Sequence, residues 1–377
     1  MRRFHYFAIA AILLVSIGGQ LGRWIPQADC LNVAAPWLVL SALVLTPFAL
    51  WKARASLVLL GLVAAFSGER ILPEIALPEI APPEIASARA NPAASGQQLS
   101  VLTFNAWHAL DRTDLAAKRI VESHADIVLL QEAGHLMHSQ RERLSTAYPY
   151  QSQCLNQRCE LAILSRFPMG PVSYRFHDGA GRAYGPELIH ARITLPDGSQ
   201  VRAASIHAPR PTSMPDGGAA LYRELAETVA RNAEPGLILG GDFNLPPWSF
   251  ALQRLDSAVH PVERVTRADF SYPAQVLGVT VPSLLPIDQI YAGPGWRLHS
   301  SQSLAAAGSD HRPVLASLVP GPREPIQPSR YGGDGRQGVI SLQDFNRTPL
   351  RLSLSKPVRN VRPSMVPRRR EASTSSA

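Results

Sequence analysis

The chain has 377 residues, 46% of them hydrophobic and only 18% charged, which excludes wholesale disorder. Three cysteines exclude a disulfide-built scaffold, and no His/Cys spacing suits a zinc cluster. The net charge of +8 belongs to the chain ends: residues 321–377 hold eleven Lys or Arg against four acids and residues 1–70 six against two, whereas 96–320 hold nineteen against twenty, which excludes a basic nucleic-acid footprint over the middle.

Three apolar runs open the sequence, Phe4 to Gly22, Val33 to Trp51 and Ala55 to Ser67. The first two approach the ~20 residues that a membrane-spanning helix needs, and the third is short. Trp37 and Trp51 stand where an aromatic belt would lie. A cleaved signal peptide accounts for the first run alone, and the two runs behind it argue instead for an anchor of two or three spans. Arg2 and Arg3 precede the first run, and Lys52 and Arg54 separate the second from the third. The positive-inside rule then puts the N-terminus in the cytoplasm. Everything past residue 70 lies on the periplasmic side of an inner membrane, or inside if the third run does not cross.

Residues 71–97 form a proline-rich linker. Pro73-Glu74-Ile75-Ala76 recurs as Pro78-Glu79-Ile80-Ala81 and Pro83-Glu84-Ile85-Ala86. Five prolines between 73 and 92 predict an extended spacer without helix that lifts the next domain clear of the bilayer. Residues 98–319 then alternate strands and helices. Strands are predicted at Leu99–Phe104, Asp126–Leu130, Leu161–Leu164, Leu188–Leu195, Val201–Ile206, Leu237–Gly240, Ile287–Tyr291 and Pro313–Leu318. Thr113 reads as the N-cap of a helix to about Ser123, and 218–232 as a second helix. Strand pairs mixed with strand–helix alternation fit one α/β domain with helices outside sheets. From residue 320 the chain reads as a disordered basic tail without chemistry.

Polar residues with chemical potential follow the apolar strands. Asn105, Glu132, His207, Asp242 with Asn244, Asp288, and Asp310 with His311 each stand at such an end. Strand ends at one rim of an open α/β sheet face a common crevice, where ligands gather. Any one of these residues taken alone reads as a turn former, a cap or a core histidine. Together they are all acid, amide or imidazole. Carboxylates and carboxamides are the hard oxygen ligands of magnesium, and the set suits metal-assisted phosphoester hydrolysis. Asp242 and Asn244, two apart, project from one side of an extended chain. One can hold or deprotonate a water while the other donates to a phosphate oxygen. His207 and His311 can donate to developing negative charge when a carboxylate orients them.

Thr103-Phe-Asn-Ala-Trp107, Leu130-Gln-Glu132, Ile163-Leu-Ser-Arg166, Gly241-Asp-Phe-Asn244, Ile287-Asp288 and Gly308-Ser-Asp-His311, in this order, resemble the motifs of the endonuclease/exonuclease/phosphatase superfamily. The resemblance runs from Leu99 to Leu318. It implies a four-layer α-β-β-α sandwich and cleavage of phosphoesters with magnesium, or with manganese in its place. By position, Glu132 would be the principal metal ligand, with Asn105 and Asp310 near the same ion. Asp242 would orient or deprotonate water, Asn244 would contact phosphate, His207 would stabilise the transition state and Asp288 would pair with His311. Whether Asp242 or His311 is the base stays open at this point. Three positions depart from the pattern: Ser205, Gln289 and Glu160, the last either a partner of His207 or a solvent-facing acid. The implied partners are a phosphoester substrate and the membrane. Nucleic acid is the less favoured substrate, because the domain is near neutral and has Lys118 as its one lysine. A catalytically dead binding protein is disfavoured by the presence of Glu132, Asp242 and His311. Cys154 and Cys159 would pair in an oxidising compartment.

Overall fold

A computed structural model describes residues 2–52, 54–76, 98–109, 112–155, 158–175, 187–214 and 216–321, so most of the predicted linker and the tail lie outside the described residues. Helices α1 (Arg2–Gln20), α2 (Ala35–Lys52) and α3 (Ser56–Gly68) pack along a seam of Ile9, Leu38, Ala42, Ala49, Leu60 and Val63. The His5 ring meets the Ser56 hydroxyl at 3.1 Å and Ser16 meets Ser67 at 2.9 Å, so α1 and α3 run in the same direction and α2 returns between them. The stretches His5–Arg23 and Pro26–Trp51 are long and apolar enough to cross a membrane, and only 28% and 22% of them is buried within the protein. Ser56–Gly68 is apolar but shorter.

The first Pro-Glu-Ile-Ala copy departs from the expected extended spacer: Leu72–Ala76 is a helical turn, α4. Pro73 sits in its first turn, where the N–H that proline lacks would have no intrahelical partner. The α/β domain is also not held clear of the helices. Asp29, in the α1–α2 connector, accepts from the backbone N–H groups of Phe250 (2.9 Å) and Ala251 (2.8 Å). The Trp248 indole donates to Asn32 O, and Arg70 donates to Trp248 O at 2.8 Å each. Glu74 accepts from Arg264 at 2.8 and 3.0 Å, and the Arg264 side chain is 2% exposed. A buried guanidinium demands such partners, and the spacer's first copy supplies one.

Two six-stranded sheets form the domain. The first has the order β13 (Trp296–Ser303), β14 (Val314–Pro320), β1 (Leu99–Asn105), β2 (Ile127–Gln131), β4 (Leu161–Ser165), β3 (Tyr150–Gln151). The second runs β5 (Ser173–Arg175), β6 (Leu188–Thr194), β7 (Gln200–His207), β8 (Leu237–Asp242), β12 (Asp288–Ala292), β9 (Glu263–Arg264). A short hairpin, β10 (Gln275–Val276) with β11 (Val279–Thr280), stands apart. Val101, Ile127, Leu129 and Ile163 of one sheet meet Ile189, Ala203, Ile238 and Ile290 of the other in a dry inner core. Helices α5 (Thr113–Glu122) and α6 (Gly134–Ser145) cover the first sheet, and α7 (Ala219–Arg231) and α8 (Phe250–Ala258) the second. This is the expected four-layer sandwich. Thr113 proves to be the first residue of α5, not its cap: Arg112 holds the N-cap position and no side chain caps it.

Candidate active site

Strand register brings the polar strand ends together. His207 is the in-register neighbour of Asp242 across the parallel β7–β8 pair, and Asp242 that of Asp288 across antiparallel β8–β12. Neighbouring residues in register share a face, so three side chains project in a row. Gly240 and Gly241 precede Asp242 because nothing larger fits: a Cβ at Gly241 would lie 1.9 Å from Ile206 O, and one at Gly240 2.8 Å from Leu129. From the other sheet, Asn105 donates through Nδ2 to Asp242 Oδ2 (3.0 Å) and Glu132 Oε1 (3.2 Å). The site therefore sits at the rim where the two sheets meet. Glu132 (φ 48°) and Asn244 (φ 52°) hold left-handed backbone, a strain typical of functional positions.

Asp242 is the centre, 1% exposed. Its Oδ1 accepts from Asn244 N at 2.7 Å, while Oδ2 lies 3.8 Å from His207 Nε2 and 3.7 Å from His311 Nε2. Each imidazole is held from behind by its own carboxylate: His207 Nδ1 by Glu160 at 2.6 Å, and His311 Nδ1 by Asp288 at 2.8 Å. Burial works against charge on His311, yet Asp288 and Asp242 outweigh it and raise its pKa to about 10. The same opposition leaves His207 raised, with Glu160, Asp242 and Glu132 as its anionic neighbours. Burial raises the Asp242 carboxyl, with Asp288 adding to the shift and the two imidazoles opposing it. Tyr272 packs its ring 4.9 Å from that of His311.

Glu132 and Asp310 form the more open side. Burial pushes the Glu132 carboxyl up, but His207, the His108 backbone and ring, and Asn105 hold it down to about 2. Asp310 is raised by burial and by the like charge of Glu132, with His311 opposing. The ionised Glu132 carboxylate raises its neighbour Asp310, and two such oxygen donors with the Asn105 amide close by fit a hard divalent cation such as magnesium. Asp242, Asp288 and His311 also offer three ligand atoms within 4.8 Å of one another. There the His311 ring already lies between two carboxylates, 2.8 Å from Asp288 and 3.7 Å from Asp242, which makes that trio the poorer fit.

All eight residues expected from the sequence lie around this rim. Asn244 turns its amide inward, donating to Ala208 O at 2.6 Å, so its backbone N–H, and not its side chain, meets Asp242. Glu160 is the partner of His207, fixed just after a Cys154–Cys159 disulfide. Ser205 and Gln289 are buried and support the sheets, Ser205 donating to Leu130 O at 3.1 Å and Gln289 accepting from Thr266 at 2.8 Å. His108 was not legible: its N–H donates to Glu132 at 2.9 Å and its ring contacts the same carboxylate, from a turn of no periodicity.

The profile of the Endonuclease/Exonuclease/phosphatase family matches residues 102–311. Among solved structures the chain is similar to D. rerio TDP2 complexed with single-strand DNA product, at 16% identity over 59% of this chain and 99% of that one, with a TM-score of 0.49. It is similar to a Bacteroides thetaiotaomicron mannosyl-6-phosphatase at 15% identity, 59% and 99% coverage and a TM-score of 0.46. For the human Nocturnin catalytic domain with bound sulfate the values are 15%, 60%, 97% and 0.45. No curated protein matches the chain.

Proposed function

The chain belongs to the endonuclease/exonuclease/phosphatase family, whose members hydrolyse phosphoesters, and from that premise we propose a membrane-anchored, magnesium-dependent phosphodiesterase or phosphatase acting on a lipid headgroup or small phosphoester. The observation that carries the reading is a buried carboxylate, Asp242, flanked by two imidazoles that are each backed by a second carboxylate. Asp242 accepts the proton of the attacking water, oriented by Asn105 and by the Asn244 N–H. His207, protonated against Glu160, donates to the phosphate oxygen that gains charge in the transition state. His311, protonated against Asp288, holds the Asp242 charge from the other side. Glu132, Asp310 and Asn105 would hold magnesium (or manganese), which neutralises phosphate charge when bound.

Membrane anchoring is supported by α1 and α2, which leave most of their apolar surface uncovered, unlike core helices of a soluble domain. The α1–α2 connector and the segment after α3 both touch the α/β domain, which supports a topology with all three on one side of the bilayer. In that topology α3 crosses as α1 does, and with a cytoplasmic N-terminus the domain lies on the periplasmic side. Nuclease activity is the alternative reading.

The test is full-length protein in nanodiscs with magnesium, assayed on a soluble phosphodiester, a phosphomonoester, phospholipid and plasmid DNA. Asp242→Asn should lose turnover at least about a hundredfold with its circular dichroism unchanged. A near-wild-type rate would refute the assignment, and faster cleavage of DNA than of any small ester would establish the alternative.

A further inference from the structure

The segment between Phe270 and Leu285 contains a part that neither the sandwich nor the catalytic rim uses. At the tip of the β10–β11 hairpin, Val276, Leu277 and Val279 are 50%, 99% and 65% exposed. The two turn residues, Leu277 and Gly278, have φ of 51° and 77°. Left-handed backbone at both positions is the signature of the tight hairpin turn that Asn-Gly or Asp-Gly ordinarily makes. A leucine there is strained and holds an apolar side chain in water at once, and its near-complete exposure means that nothing in the fold offsets either cost. Single exposed apolar side chains are ordinary, but three on one four-residue tip are not. No residue from Phe270 to Ile287 is charged.

The hairpin is rooted in two places. Ala274 N donates to Asp310 O at 2.6 Å and the Gln275 amide to Gly308 O at 2.7 Å, tying its base to the loop that carries Asp310 and His311. Arg312 braces the returning strand through Ser283 and Val281 O, each at 3.0 Å. On the other side, Phe270, Tyr272 and Leu285 pack in one cluster with Val33, Ala35 and Val39 at the start of α2. One uncharged segment thus joins the catalytic rim to the domain-side end of an anchor helix.

We propose that the 275–280 hairpin is an interfacial finger whose tip enters the bilayer that holds the anchor. It sets the catalytic rim at headgroup level, and the substrate is a phosphoester carried by a membrane amphiphile. The proposal rests on the hydrolase reading above and narrows its substrate. A lipid surface is the occupant because the anchor already confines the domain there, so a small apolar tip suffices. A stable protein interface needs ~800 Å² on each partner, far more than four residues present. An uncharged tip also enters the interfacial region without the cost of desolvating a charge.

The test uses full-length protein in phosphatidylcholine/phosphatidylglycerol vesicles. Leu277→Cys, made in a Cys30→Ser background, carries an environment-sensitive fluorophore. Blue-shifted emission, quenched by lipids brominated on the upper acyl chain and protected from aqueous iodide, is the expected result. Free quenching by iodide overturns the proposal. Protection from iodide without lipid quenching overturns it too, since a protein surface would then cover the tip. In parallel, Leu277→Asn suits the left-handed turn and keeps the fold while removing the apolar tip. The ratio of vesicle phospholipid turnover to soluble phosphodiester turnover should fall about tenfold in this variant, and an unchanged ratio argues against the finger. If wild type cleaves neither ester, the hydrolase reading fails, and the quenching result still decides the position of the hairpin.

Discussion

Replacing Asp29 by alanine removes a carboxylate that reaches across more than two hundred residues of chain to the first turn of α8. It accepts from Phe250 N at 2.9 Å and Ala251 N at 2.8 Å, while Ser249 caps only Leu252 N at 3.3 Å. The first N–H groups of a helix have no intrahelical acceptor, so deletion leaves two buried donors exposed to whatever water can reach them. A hydrogen bond to a charged group contributes about 1.5–3 kcal/mol, and the lower value for each gives about 3 kcal/mol for the pair. At ~1.4 kcal/mol per factor of ten, local opening of this turn becomes about a hundredfold more frequent. Hydrogen exchange on the full chain in nanodiscs measures it directly. Peptides covering 248–253 should exchange about a hundredfold faster in Asp29→Ala. Asp29→Asn keeps an oxygen acceptor and should fall between the two. Peptides from β8 should be unchanged. Identical exchange at 248–253 in wild type and Asp29→Ala would mean that the connector does not rest on α8, and the direct docking of domain on anchor would go with it.

Glu160→Gln should lower kcat on a soluble phosphoester by about tenfold to a hundredfold, because His207 loses the carboxylate that orients and charges it; an unchanged kcat refutes the pairing. Asp269 is buried and its carboxyl is pushed up to about 6 by burial, against hydrogen bonds from Ser301 and the Arg267 N–H. A raised carboxyl keeps its proton in the folded state where the unfolded chain has lost it, so stability rises as pH falls from about 6 towards 4 and the penalty is complete above 6. Asp269→Asn should therefore raise the unfolding midpoint at pH 7.5, by up to about 3 kcal/mol in stability, and flatten its change between pH 4 and 6; a lower midpoint at pH 7.5 refutes this. Maleimide labelling of denatured protein should find one thiol, Cys30, without reductant and three with it; three without reductant would refute the Cys154–Cys159 bridge.

Much of the candidate rim was legible because its residues stand beside apolar runs that only buried strands explain. Asn105, Glu132, His207 and Asp242 each close or directly follow such a run, whereas Asp288 opens one and His311 stands in the loop before another. His108 lies in a turn and Glu160 in a disulfide-closed loop, where no periodicity points. Asn244 kept its position but not its expected contact, since a left-handed backbone turns its amide toward Ala208. The spacer misled for a different reason. Prolines at the start of a segment read as helix breakers, yet one proline in a first turn is compatible with α4. The partners of Glu74 and Asp29, Arg264 and the α8 N-terminus, lie far along the chain. Long-range polar pairing leaves no local pattern.

His207, Asp242 and Asp288 occupy consecutive rungs of one sheet, about 4.8 Å apart. A single deletion within β7, β8 or β12 would slip that ladder by one and send one of these side chains to the opposite face. The loops that follow these strands carry no such constraint and tolerate length change at small entropic cost. Heritable change in this chain is therefore channelled: the loops can change in small steps, whereas strand indels break up the rim at a stroke.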